Sequence, residues 1–321
     1  MNNLNWFVQL LSAGLRLALP ISYAALGGCI SELAGVTAMG LEGMMLSGAF
    51  FAVLGSYLTG SALIGILFGL VGGALIALLQ AVLCVRFRAN QIVCGLGINM
   101  LGSGLTTVLL STVFGNKGKS AAVASFSSFS LPLVSKIPII GTLFTNDIFF
   151  YLFLLLLAGS CFAIYRTAAG LRLRAAGIHP EAVDSLGVNA IGIRYVAVLL
   201  CGALCGISGA SISIGQMSFF SSGMTAGKGY IAIAAFVFGG WNPIRATLAA
   251  LLFGLMEALQ LRLQTYVTYP QIIQMIPYVV TVLAISINIS RADPPAAVGK
   301  PYYHRTKRSR RHENKTLRKY Y

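Results

Sequence analysis

S-E-L-A-G-V-T-A-M-G-L-E-G-M-M-L-S-G-A-F, from Ser31 to Phe50, sets two glutamates, Glu32 and Glu42, beside long apolar runs, with Gly35, Gly40 and Gly43 punctuating the turn. A carboxylate near bilayer depth is expensive and faces protein or a water-filled cavity. Glycine-broken backbone at that depth is tolerated only where it is buried in protein or lines such a cavity. The stretch therefore reads as an interrupted membrane helix whose break faces a pathway. The competing reading is a short interfacial loop in which Glu42 caps the next helix.

Composition supports membrane depth. The 321 residues are 57% hydrophobic and 10% charged, with a mean hydropathy of +0.81, whereas soluble domains carry roughly a quarter charged residues. The fold class expected is all-α and polytopic, with about eight to ten transmembrane helices. The net charge of +15 does not point to nucleic acid, because ten of the 23 Lys and Arg fall in residues 291–321, a basic tail expected to be disordered and solvated or touching lipid. Cys29, Cys84, Cys94, Cys161, Cys201 and Cys205 all lie in or beside apolar segments, with neither disulfide nor metal spacing. Three scattered histidines leave no metal centre, and no cofactor is expected.

Outward from the opening stretch, spans are expected over 7–30, 44–57, 62–85, 92–114, 148–165, 196–214, 231–238, 246–261 and 272–289. Gly65, Gly69 and Gly73 stand four apart, as do Gly202 and Gly206, a spacing that lets helices pack backbone to backbone in lipid. Arg16 and Pro20 mark a kink or a snorkelling end in the first span. Asn99, an amide inside the fourth, can hydrogen-bond a ligand or join two helices. G-N-K-G-K-S, Gly115 to Ser120, fails as a phosphate loop, because Val113 stands where the first glycine belongs. The main polar insertion, 166–194, contains Pro180 after His179, with Glu181 and Asp184 in the next turn and Gly187 as a stop, the pattern of a short surface helix that docks a soluble partner. A second glycine-rich break, G-M-T-A-G-K-G-Y (Gly223 to Tyr230), mirrors the first, and Trp241-Asn242-Pro243 makes a turn. Paired breaks of this kind point to a transporter's central pathway. The basic loops at 86–88, 166–194, Arg245 and the tail share one side if the spans alternate, which puts them and the C-terminus in the cytoplasm and the N-terminus outside.

Four collinear stretches carry a family resemblance: Ala24 to Phe50; Q-I-V-C-G-L-G-I-N-M-L-G (Gln91 to Gly102); R-A-A-G-I-H-P-E-A-V-D-S-L-G-V (Arg174 to Val188); and G-Y-I-A-I-A-A-F-V-F-G-G-W-N-P (Gly229 to Pro243). They resemble permease subunits of ABC importers for nucleosides and simple sugars, within the branched-chain amino acid and ribose permease family. The resemblance implies a non-catalytic subunit of a bacterial cytoplasmic membrane, with residues 1–290 as the permease domain. It implies a second permease subunit, an ABC ATPase docked on 166–194 through Arg174, Gly177, Pro180, Glu181, Asp184 and Gly187, and an extracytoplasmic substrate-binding lipoprotein. Glu42, Gly40, Gly43, Asn99 and Trp241 are then expected at the translocation pathway. Two positions depart from the family pattern: Ala38 stands where asparagine is common, and Leu33 where a basic residue is usual. The alternative is a stand-alone ion-coupled transporter using Glu32, Glu42 and Glu257.

Overall fold

Backbone at hydrocarbon depth can satisfy its own hydrogen bonds only as helix or closed barrel, and this sequence builds helices. The computed structural model describes residues 2–116, 118–126, 148–264 and 294–303, with isolated positions at 273, 275, 279 and 286. The helices are α1 (Asn2–Leu33), α2 (Leu41–Thr59), α3 (Ala62–Ala81, prolonged by a π turn, Val82–Arg86), α4 (Gln91–Phe114), α5 (Ile148–Arg166), α6 (Ala168–Ile178), α7 (Pro180–Ser185), α8 (Ala190–Ala210, prolonged by a π segment, Ser211–Met217), α9 (Lys228–Phe238) and α10 (Pro243–Leu263). Seven of these segments are long and apolar enough to cross a membrane, and α9 is a shorter apolar helix. The architecture is all-α and polytopic; a single isolated bridge, Lys119 to Ser221, is the strand-like pairing among the described residues. The span expected over 272–289 lies outside the described residues except for four positions, as do most of the loop after α4 and the tail beyond 303.

Polar side chains set the helix starts. Asn90 caps α4 by accepting from the Ile92 and Val93 amides, Thr167 caps α6, Asn189 caps α8, and Asn242 caps α10 with Pro243 in the first turn. Pro20 inside α1 has no N–H to offer the Arg16 carbonyl one turn back, and the Gln216 side-chain amide donates to that carbonyl instead, at 3.0 Å. The Pro20 carbonyl in turn accepts from Ser208 Oγ at 2.6 Å.

Packing follows the small-residue spacing. α2, α3 and α8 meet through Gly48, Gly69 and Gly206: a Cβ on Gly69 would stand 3.0 Å from the Gly48 carbonyl oxygen, and one on Gly206 would collide with the Gly69 carbonyl. Without a water-driven hydrophobic effect between helices, this close backbone approach is what holds them. Away from that seam Leu63, Leu67, Val71 and Leu75 form an exposed row on α3, a face suited to lipid tails. The loop after α3, the α6–α7 insertion and residues 294–303 gather at one end: Arg88 lies 4.4 Å over the Tyr303 ring, and the Ala297 amide donates to the Gly177 carbonyl.

Gly206→Val is expected to cost about 1–3 kcal/mol by overpacking this seam. The purified chain should melt at lower temperature in detergent, whereas Gly159→Val, where an added Cβ meets open space, should leave the melting temperature nearly unchanged.

Candidate functional site

The chain leaves helix after Leu33 and regains it at Leu41; the amides of 34–36 turn back on carbonyls at the end of α1, and the peptide groups of Thr37, Ala38 and Met39 are held by side chains. Gly35 adopts φ +89° and its amide donates to the Glu32 carbonyl. The Thr37 amide donates to Gln91 Oε1 at 2.8 Å, and its carbonyl accepts from Gln80 Nε2 at 3.0 Å. The Ala38 amide donates to Glu32 Oε1 at 3.2 Å. Asn99 takes the last turn: its Nδ2 donates to the Met39 carbonyl and its Oδ1 accepts from the Gly43 amide, each at 2.9 Å. Gly40 and Gly43 lie flat against α3 and α4, where a side chain would run into Gln80 and the Ile98 carbonyl.

The second break is fastened to the first by carboxylates. Glu42 Oε1 accepts from Thr225 Oγ1 at 2.6 Å and the Gly227 amide at 2.9 Å, and Oε2 accepts from the Gly229 amide at 2.7 Å. An anion at these amides satisfies orphan donors of α9 and complements its positive end. Beyond the other end of α9, Trp241 sits in a left-handed conformation (φ +55°) and its indole Nε1 donates to Glu32 Oε2 at 2.6 Å. A carboxylate of the first break thus grips each end of the short helix. Beside its start, Lys228 forms an ion pair with Glu257 of α10.

Of the residues expected at the pathway, the structure brings Glu42, Gly40, Gly43 and Asn99 together at the start of α9 and sets Trp241 at the opposite end of that helix. Sequence reading passed over Gln80 and Gln91, which carry the Thr37 peptide; amides in apolar segments, like that of Asn99, were the available signal. A partly exposed row, starting from the buried Asn99, lies next to this cluster. Asn99, Ser103 and Thr107 fall one turn apart on α4, and Ser222, Ala226 and Tyr230 follow a matching four-residue spacing in the second break. The rows join at both ends, Asn99 Nδ2 donating to the Tyr230 hydroxyl at 3.1 Å and Thr107 Oγ1 lying 3.2 Å from Ser222 Oγ. Tyr230 is 47% exposed and Met100 on the same side 79%.

Residues 10–285 match the family model described as branched-chain amino acid transport system / permease component. The chain belongs to this permease family. It is also 36% identical to the guanosine ABC transporter permease protein NupQ of Bacillus subtilis over 92% of this chain and 98% of that one. It is 35% identical to the nucleoside ABC transporter permease protein NupC of Lactococcus lactis over 94% and 99%. The figure is 34% for the putative glucose ABC transporter permease protein TsgC13 of Haloferax volcanii, over 88% and 92%. The chain is a multi-pass membrane subunit that transports rather than catalyses, and the stand-alone ion-coupled alternative falls away.

In the polar insertion, α6 and α7 are joined at His179. Pro180 opens α7, Gly187 leaves it with φ +80°, and Glu181 is exposed together with Leu171, Ile178 and Leu186. Arg174 packs over the Tyr165 ring at 5.4 Å. Gly177 lies against the first break, where a Cβ would collide with the Leu33 carbonyl. Asp184 faces inward: Oδ1 accepts from the Ala190 amide at 3.0 Å and Oδ2 accepts from the Tyr302 hydroxyl. Burial and then the Asp184 carboxylate push the Tyr302 phenol up to about 12. The expected coupling residues therefore separate into exposed ones, Glu181 and Gly187, and inward-facing ones, Gly177 and Asp184.

In Glu42→Gln the amide NH2 must face either the Gly229 amide or the Thr225 and Gly227 donors, leaving a buried donor unmet at about 1–3 kcal/mol. The variant should insert at normal levels, melt earlier and lose uptake. Unchanged melting would show that the carboxylate is dispensable as a clasp.

Proposed function

We propose that this permease carries nucleosides into the cell as one half of the membrane domain of an ABC importer. The observation that carries the reading is near-full-length identity of 36% and 35% to permeases named for guanosine and nucleoside transport. ATP hydrolysis belongs to a separate ATPase, and solute arrives from an extracytoplasmic substrate-binding lipoprotein. The end bearing α6, α7 and residues 294–303 faces the cytoplasm, because it gathers the Arg and Lys of the short loops; the N-terminus lies outside and the C-terminus inside.

Exposed apolar side chains on an aqueous loop mark a docking surface, and Leu171, Ile178 and Leu186 around Glu181 supply one for the ATPase. Arg174, Gly177, Pro180, Asp184 and Gly187 shape that surface and connect it to the bundle. The second permease and the pathway lie along the open face of α4 and the second break. Glu42, Gly40, Gly43, Asn99 and Trp241 set the wall of the pathway by holding the two breaks, while the hydroxyls of Ser103, Thr107 and Tyr230 face the solute. That row carries hydroxyls and an amide but no carboxylate or ammonium, as suits an uncharged solute with its own hydroxyls. Residues 1–290 form the permease domain, and 291–321 its basic cytoplasmic extension.

The test is uptake of labelled guanosine in cells expressing this permease with its native partners, with unlabelled uridine, ribose and glucose as competitors. Competition by nucleosides and not by glucose is expected, and ATP depletion should abolish uptake. Guanosine uptake that persists at full rate when this chain is deleted would sink the reading. Competition by glucose alone would move the substrate to the sugar recognised by the third relative's class.

Glu181→Lys should lower uptake and solute-stimulated ATP hydrolysis by roughly tenfold, equivalent to ~1.4 kcal/mol of docking free energy, while the second permease still copurifies. Unaltered ATP hydrolysis would exclude Glu181 from the docking surface.

A further inference from the structure

Residues 294–303 lie beyond the matched family region, 10–285, yet they touch every element at the docking end. The Ala297 amide donates to the Gly177 carbonyl at 2.9 Å. The Lys300 carbonyl accepts from Arg194 Nη1 at 3.2 Å, and Arg194, at the base of α8, is 2% exposed. The Tyr302 hydroxyl donates to Asp184 of α7, the Arg194 guanidinium lies 5.7 Å from the Tyr302 ring, and the Arg88 guanidinium covers the Tyr303 ring. The same segment also reaches the first break. A Cβ on Gly35 would stand 2.8 Å from Arg194 Nη2, 3.3 Å from the Gly177 Cα and 3.4 Å from the Ala297 carbonyl oxygen, and one on Gly299 would lie 3.5 Å from Thr37 Oγ1. Break, docking loop and segment thus meet at Gly35, Gly177 and Ala297 with no room for a methyl group.

We propose that residues 294–303 are a strap that makes the docking loop and the first break move as one body, with Tyr302 and Arg194 as its positioning residues. The inference rests on the ABC-importer reading. Without the strap, Gly177 and the 33–37 turn touch by van der Waals contact, and Asp184 of α7 loses its Tyr302 partner. With it, hydrogen bonds run from α7 through Tyr302 and Lys300 to Arg194, and through Ala297 to the Gly177 peptide that abuts the break. A displacement of α7 by the ATPase is then carried to the turn that precedes Glu42 and α2. Small shifts propagate through such packed contacts because the interior is close-packed and yields little.

The experiment uses the whole importer, reconstituted with its ATPase, second permease and binding protein, and reads ATP hydrolysed per nucleoside transported. Truncation after Asp293 and Tyr302→Phe are both expected to raise that ratio, the latter by roughly tenfold, the scale of a hydrogen bond to a charged group. Truncation after Tyr303, which keeps the strap, should leave the ratio at its wild-type value. An unchanged ratio in Tyr302→Phe and in the 293 truncation overturns the proposal. So does failure of the 293 truncation to assemble while Tyr302→Phe stays fully coupled, which would make the segment a folding element. Amide hydrogen exchange on the purified permease decides the matter without transport: faster exchange over 174–190 and 33–37 together in Tyr302→Phe supports the strap, and unchanged exchange overturns it. If the wild-type importer moves no nucleoside, the functional reading fails, and the exchange result still judges the strap.

Discussion

Interrupted backbone at membrane depth needs hydrogen-bond partners that water cannot supply there, and in this permease the Glu42 carboxylate meets the largest part of that need. Its two oxygens take three donors from the second break while its own backbone sits in the first turn of α2. The two breaks, more than 180 residues apart in sequence, become one structural unit at this point. α9 can be short because its start is closed by Glu42 and its far end by Glu32 through Trp241. An isolated helix of that length would be marginal even in favourable sequence.

The glycine seam and the carboxylate clasp divide the work. Gly48, Gly69 and Gly206 bring α2, α3 and α8 to backbone contact, and that contact fixes where α2 begins. With α2 fixed, Glu42 points at the amides of 227 and 229. Asn99 and Gln80 then fill in from α4 and α3, each spanning groups that a helix would have paired internally. The result is a broken segment whose shape is determined largely by side chains of α1, α3 and α4 rather than by its own residues. Its two departures from the family pattern fit within this frame: the Ala38 amide still reaches Glu32, and Leu33 packs with the apolar core beside Gly177 of α6.

How much of this was legible in the sequence follows from the range of each interaction. The spans were readable because hydrocarbon length and hydropathy are local properties, and the two breaks because glycine beside carboxylate is a local anomaly. Gly69 and Gly206 announced close packing, though the spacing does not say which helices pair. α6 merged in sequence with the polar insertion, because its Ala, Leu and Arg residues have no marked apolar face; only the Thr167 cap set its start. The direction of the Glu42 carboxylate was not readable at all. Whether it faces a pathway or another stretch of backbone depends on amides at 227 and 229, and no pattern near residue 42 reports them. The same holds for 294–303, where composition suggests a solvated tail and the pairing of Tyr302 with Asp184 is invisible without the fold.

The clasp also bears on how such a subunit can work. A proton- or ion-carrying carboxylate must exchange partners during each cycle, and polar groups in membrane helices are often kept for that purpose. Glu42 and Glu32 instead bond to peptide amides, the Thr225 hydroxyl and an indole, and the amides cannot be released without exposing buried backbone. Releasing either would free an end of α9 in every turnover, at the expense of several unmet hydrogen bonds. The breaks are therefore suited to moving as a body and not to changing their internal bonds. A body of that kind moves only with what is packed on it, and outside the bundle the surface that abuts it is Gly177 of α6.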